Sequence, residues 1–265
     1  MRASEFFETH PVFRHAEFVA AHTARGRSPL TSNNLLARHL GAGQLLRVRR
    51  GLYATVLRGV EPARAQVDPY LVASHATDDA VVAYHAALQF AGKAYSAWQR
   101  FHYLTRRRAR PFRFRNLAFV PVQVPAGQRS QHEWVGITTE RHAGGQVRVA
   151  TLERTLVDVL DSPAKAGGWE EVWRSLEMVS FFDLDAVTSY ALAGRSALTV
   201  ARVGYFLDQH RESLMVNDAH LERLRPHAPS QPRYLGARHA GGTLVKNWNL
   251  VVPDSVLYRR WAEVA

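Results

Sequence analysis

Thr31, Ser32, Asn33, Asn34 and Arg38 are polar positions interleaved with Leu35, Leu36 and Leu40, which recur at helical spacing. On a helix the leucines take one face and the polar side chains the other. Asparagine can bond adenine through two atoms at once, arginine can do the same to guanine, and serine or threonine reach phosphates or base edges. The chemistry on offer is direct readout of double-stranded DNA. A few residues on, Arg47, Arg49 and Arg50 alternate with Leu46, Val48 and Leu52. A strand pair with that pattern packs one face and presents guanidinium groups at its tip, as a phosphate-contacting loop requires. A second basic run holds Arg106, Arg107, Arg108 and Arg110, then Arg113 and Arg115 around Phe112 and Phe114. It has two readings of equal standing. One is a second nucleic-acid contact or a surface for an acidic partner; the other is a solvated connection whose phenylalanines fill the core.

Other chemistries find little support. The chain has no cysteine, which excludes disulfides, thiolate zinc sites and cysteine nucleophiles. Its 13 histidines include no HExxH pattern, so no metal site is expected. Asp183 and Asp185 form a D-x-D near Glu170 and Glu171, but Asp185 stands where a helix N-cap belongs, and capping accounts for it. No P-loop, GxSxG or GxGxxG is present, so neither a catalytic residue nor a cofactor is expected.

The elements that must position these residues follow from local pattern. Helices are expected over 4–9 and 15–23, with Pro11 between them. A third runs from 31 to about 40, capped by Thr31 or Ser32 and ended by Gly41-Ala42-Gly43. A hairpin follows, turning at Arg49-Arg50-Gly51. This is the order of a winged helix-turn-helix, in which the third helix enters the major groove and the hairpin lies along the backbone or minor groove. Residues 58–69 are polar and proline-punctuated. The expected division is therefore a winged helix-turn-helix in 1–60, a linker in 61–69 and a larger mixed α/β domain in 70–265, an α+β chain as a whole. In the larger domain helices are expected over 70–76, 81–92, 151–161, 169–179, 185–192 and 196–210. Strands are expected over 101–105, 117–124 and 147–150, with β-like runs at 243–246 and 248–252.

The formal net charge is +11, and of 34 basic side chains only Lys93, Lys165 and Lys246 are lysines. Such a surplus attracts polyanions, and more than half of it lies in the residues up to and including Arg64. The N-terminus has no apolar leader and no run of about eighteen apolar residues marks a membrane span. The expected location is the reducing cytoplasm, with no membrane partner.

Several stretches together resemble the AbiEi family, the antitoxin and regulator half of type IV toxin–antitoxin pairs. LLRVRRGLYA at 45–54 is similar to the family's wing, VVAYHAALQFAGKA at 81–94 to the helix that opens its second domain, and FHYLTRRRARP at 101–111 to a strand with a basic loop. TLERTLVDVLDSPAKAGGWEEVWRSL at 151–176 resembles its most recognisable segment. The resemblance implies a repressor of its own operon that binds inverted repeats in its promoter and helps neutralise a co-encoded nucleotidyltransferase toxin. It also marks Glu153, Arg154, Thr155 and Asp158; Arg154 and Asp158, four apart, are placed to pair on one helix. Two alternatives stay open: a DNA-tethered nuclease or nucleotidyl-transfer enzyme with Asp158, Asp161, Asp183 or Asp185 on Mg²⁺, and a protein-interaction module.

Overall fold

Phe6 and Phe7 turn inward from the first helix, α1 (Ala3–Thr9), and Pro11 leads into a three-residue strand, β1 (Val12–Arg14), too short to show in the sequence pattern. Helix α2 (His15–Thr23) follows. Helix α3 (Pro29–Gly41) starts earlier than expected: Ser28 Oγ, and not Thr31 or Ser32, caps it by accepting the Thr31 amide at 3.1 Å, and Pro29 takes the first turn, where no amide is needed. Strands β2 (Leu45–Arg49) and β3 (Leu52–Thr55) form the hairpin, with Gly51 at φ 79° in the turn. β1 pairs antiparallel with the far side of β3, giving the sheet order β1-β3-β2. Phe6, Phe7, Phe13, Phe18, Leu36, Leu45 and Tyr53 close a common core over this sheet. Each such side chain contributes about 1.5–3 kcal/mol by leaving water, and together they fix the orientation of α3.

This is a computed structural model; it describes residues 3–24, 26, 28–124, 134–193, 195–236 and 242–261. The chain divides into two compact units interleaved along the sequence. The first comprises Met1–Val82, Gln99–Gln123 and Thr138–Val149, the second Ala83–Trp98, Val124–Ile137 and Ala150–Ala265. The segment 61–69 lies inside the first unit, where Ala65 is buried.

The first unit continues with α4 (Pro69–Ser74), capped by Asp68, whose Oδ1 accepts the Leu71 amide at 2.9 Å. A helix over 81–92 is expected from the sequence, but Val81–Val82 form a short strand, β4, fully buried between two neighbours. Tyr84, at φ 56°, separates it from the helix that starts at His85. Strands β5 (Arg100–Thr105), β6 (Phe112–Phe114), β7 (Leu117–Gln123), β8 (Ile137–His142) and β9 (Gly145–Ala150) complete a sheet of order β6-β7-β5-β4-β9-β8. β5 runs parallel to β7 and β6 antiparallel to it. β6 and β8 are the edges, and neither was foreseen: short or polar edge strands lack the buried alternation that reveals inner ones.

The second unit is mainly helical: α5 (His85–Phe90), α6 (Leu152–Asp161), α7 (Trp169–Glu177), α8 (Leu184–Leu192), α9 (Ala197–Gln209) and α10 (Asp218–Leu224). Strands β10 (Arg233–Tyr234), β11 (Thr243–Val245) and β12 (Leu250–Val252) form a small mixed sheet, and α11 (Asp254–Leu257) follows. α6 is its centre, buried from Arg154 to Leu160. The N-cap of α8 is Asp183, which accepts the Ala186 amide at 3.0 Å; Asp185, expected in that place, lies in the first turn and pairs with Arg223 at 2.6 Å. The chain is thus a mixed α+β protein. Among the described residues no helix is long and apolar enough to cross a membrane.

Candidate nucleic-acid interface

Thr31, Asn33, Asn34 and Arg38 all lie exposed along α3, opposite Leu36, which is buried in the phenylalanine core. Ser32 does not join them. It is fully buried, and its hydroxyl donates to the Ser28 carbonyl at 3.2 Å, so the expected DNA contact at Ser32 is corrected to a backbone brace at the helix start. Asn33 Oδ1 sits 2.7 Å from His15 Nε2, tying α3 to the first turn of α2. Leu30, 69 % exposed, extends the same face with an apolar side chain. Sequence pattern assigned it no role, because an apolar residue at a helix start reads as core.

The hairpin separates its three arginines. Arg47 and Arg50 are exposed. Arg49, expected on phosphate, is instead turned back into the fold: its Nη2 donates to the Ala76 carbonyl and its guanidinium lies 4.5 Å from the Phe112 ring centroid. A guanidinium stacked on an aromatic ring and bonded to a carbonyl is held as a brace.

The second basic run is divided as well. Arg107 forks onto Asp78, Nε to Oδ1 at 3.0 Å and Nη2 to Oδ2 at 2.5 Å, and these bonds hold the Asp78 carboxyl below its ordinary pKa. Asp79 accepts from the Thr77 and Thr105 hydroxyls and from the Arg106 amide at 2.7 Å. Burial raises the Asp79 pKa, but these bonds outweigh it and keep the carboxyl low. Arg115 donates to the carbonyls of Ala65 at 2.5 Å and Pro62 at 3.2 Å, which fastens segment 61–69. Arg108, Arg110 and Arg113 are exposed, with no acidic partner among the described residues. Phe112 is half-buried and stacks on Phe119 at 4.8 Å. The run has the form of a solvated connection: Phe112 packs, and Arg108, Arg110 and Arg113 face solvent.

No protein-family model matches the chain, and no curated protein matches it. Among solved structures it is similar to the crystal structure of the RV2827C protein from Mycobacterium tuberculosis. The TM-score is 0.57 and the identity 18 %, over 93 % of this chain and 87 % of that one. The likeness is one of fold.

In the second unit the aspartates considered for Mg²⁺ are engaged otherwise. Asp158 accepts from Arg154 Nε at 3.2 Å, from Tyr190 at 3.2 Å and from Arg195. Asp161 accepts from Thr199 and lies 3.6 Å from Arg195. Asp183 is a cap and Asp185 is paired with Arg223. No group of three or more His, Cys, Asp or Glu side chains among the described residues could hold a metal ion.

A polar cluster the sequence did not reveal surrounds Glu171. Its carboxylate accepts from the Ser96 amide at 2.9 Å, the Ser96 hydroxyl at 2.8 Å and His85 Nε2 at 3.0 Å. His85 also stacks on Trp98 with centroids 4.3 Å apart. Burial lowers the His85 pKa; at Glu171 burial raises it, yet the bonds from Ser96 and His85 bring the net shift down. Such a pair is neutral imidazole against carboxylate, and every oxygen of Glu171 is occupied within the fold.

Proposed function

We propose that the protein is a cytoplasmic, sequence-specific DNA-binding repressor whose residues 3–55 act as a winged helix-turn-helix. The observation that carries this reading is the split character of α3: Leu36 lies in a phenylalanine core, while Thr31, Asn33, Asn34 and Arg38 are exposed, with Arg47 and Arg50 exposed on the following hairpin. The element order and the β1-β3-β2 sheet support it. Asn34 and Arg38 then read bases, Leu30 offers contact to thymine methyl groups, and Arg47 and Arg50 neutralise phosphates.

The resemblance to AbiEi antitoxins extends the proposal to autorepression at inverted repeats in the protein's own promoter, and to neutralising a co-encoded nucleotidyltransferase toxin without catalysis or cofactor. Arg154 and Asp158 are 1 % exposed, so their part is to hold α6 in place, and a toxin would meet other residues.

The deciding experiment compares binding to a duplex from the protein's own upstream region with binding to a scrambled duplex of equal length, at two salt concentrations. A preference that survives the higher salt supports operator readout. Equal binding to both, quenched by salt, reduces the protein to a nonspecific polycation and removes the reading.

A further inference from the structure

We propose that Arg108, Arg110 and Arg113 extend the DNA-contacting surface beyond the hairpin, gripping the phosphate backbone of the same duplex next to the segment read by α3. The inference rests on the DNA-binding reading and assigns a use to the basic run that this reading leaves idle.

The argument starts at Arg49. Its guanidinium lies over the ring of Phe112, the first residue of edge strand β6, and its Nη2 donates to the Ala76 carbonyl. Phe112 in turn stacks on Phe119 of the neighbouring strand β7, so the hairpin is clamped to an edge of the larger sheet within the first unit. Arg50 is one residue from the clamp on one side; Arg113 and Arg110 are one and two residues from it on the other. A residue spans at most about 3.5 Å, so these backbones come within roughly 10 Å of the stack.

The two groups of arginines therefore lie within about 20 Å of each other, less than the ~34 Å of one helical turn of duplex, so one DNA backbone can reach both. The acids nearby do not cancel them. Asp78 is spent on Arg107 and Glu17 on Arg14 at 2.5 Å, while Asp79, held ionised by two hydroxyls and an amide, sets one negative charge against the five arginines. Arg47, Arg50, Arg108, Arg110 and Arg113 are exposed guanidinium groups without carboxylate partners among the described residues. Duplex DNA presents a phosphate charge about every 1.7 Å of its axis, a dense array for such a row of forks to follow. Continuity with the hairpin favours this occupant over an acidic protein.

The test is the salt dependence of binding to the promoter duplex, extended by about ten base pairs on each side so that one turn of flanking backbone is present. The triple variant R108A/R110A/R113A, checked for an unchanged thermal midpoint, should flatten the slope of log K against log salt by about two to three. Its preference for the operator over a scrambled duplex should stay as it is. R47A/R50A serves as the reference, with a loss of about two in slope from the hairpin itself. A triple variant with the parent slope overturns the inference and leaves the repressor reading standing, provided R47A/R50A shows its loss. Failure of the parent to bind any duplex at low salt overturns both.

Discussion

Arg154 and Asp158, one turn apart on α6, meet at 3.2 Å with both side chains shut away from solvent. Asp158 also receives Tyr190 and Arg195, and both guanidinium groups lie over the Tyr190 ring, at 5.1 and 4.8 Å. Burial and the Asp158 charge push the Tyr190 hydroxyl pKa well above its ordinary value, so it stays a neutral donor. Asp161 supplies the second negative charge beside Arg195 at 3.6 Å, which balances two cations against two anions.

Removing the carboxylate that two buried arginines share leaves charge uncompensated in a low dielectric. Asp158→Ala should therefore cost about 3–5 kcal/mol, as breaking buried pairs does, read as a drop in the urea midpoint. A loss below about 1 kcal/mol, the range of exposed pairs, would show that the network is solvated.

Gly204 on α9 faces the Trp248 ring so closely that a Cβ there would lie 2.6 Å from Cε3. Trp248 cannot swing aside without giving up its indole bond to Asp208 at 3.1 Å. Gly204→Ala should overpack this contact and destabilise by about 1–3 kcal/mol despite alanine's better helix propensity; thermal denaturation measures the sign directly.

Acidification should weaken the fold through His85. Burial depresses its pKa, so the unfolded chain takes up a proton near about pH 6.5 that the folded chain still refuses, and stability falls as pH drops below that value. Glu171, net depressed, adds the same sign below its ordinary carboxylate range. His85→Gln keeps a donor for Glu171 but cannot titrate, so its urea midpoint should depend less on pH than the parent's between about pH 6.5 and 5. Parallel curves for the two proteins would refute the assignment.

On α3 two polar neighbours should part ways. Arg38→Ala should relax base preference at a cost of about 1–3 kcal/mol in binding. Ser32→Ala should leave preference intact and lower stability by about 0.5–1.5 kcal/mol, the net value of its bond to the Ser28 carbonyl. Competition binding against single-base operator variants separates the two.

The hairpin arginines should differ in the same way. Arg50→Ala should reduce the salt slope of binding by about one. Arg49→Ala should leave the slope near the parent value and instead lower the thermal midpoint, since that guanidinium is engaged with Ala76 and Phe112. An equal loss of slope in both variants would return Arg49 to the DNA surface.

Local chemistry was readable from residue order alone. The helix over 15–23, the turn at Gly51, the leucine face of α3 and the Arg154–Asp158 pair depend on neighbours within a turn or two, and each is found in the fold. The start of α3 lies two residues earlier than local pattern places it, because Ser28 and Pro29 compete with the later caps Thr31 and Ser32. Tertiary contacts alone decided which arginines remain available. Arg49 bonds a carbonyl 27 residues away and covers a ring on an edge strand still farther along the chain, while Arg47 and Arg50 on the same hairpin stay in solvent. Val81 and Val82 likewise become a strand because β5 and β9 close on both sides. Periodicity and capping act over a few ångströms of chain, whereas the partner that occupies a cation or completes a sheet is brought in by folding from a distance that no local pattern encodes.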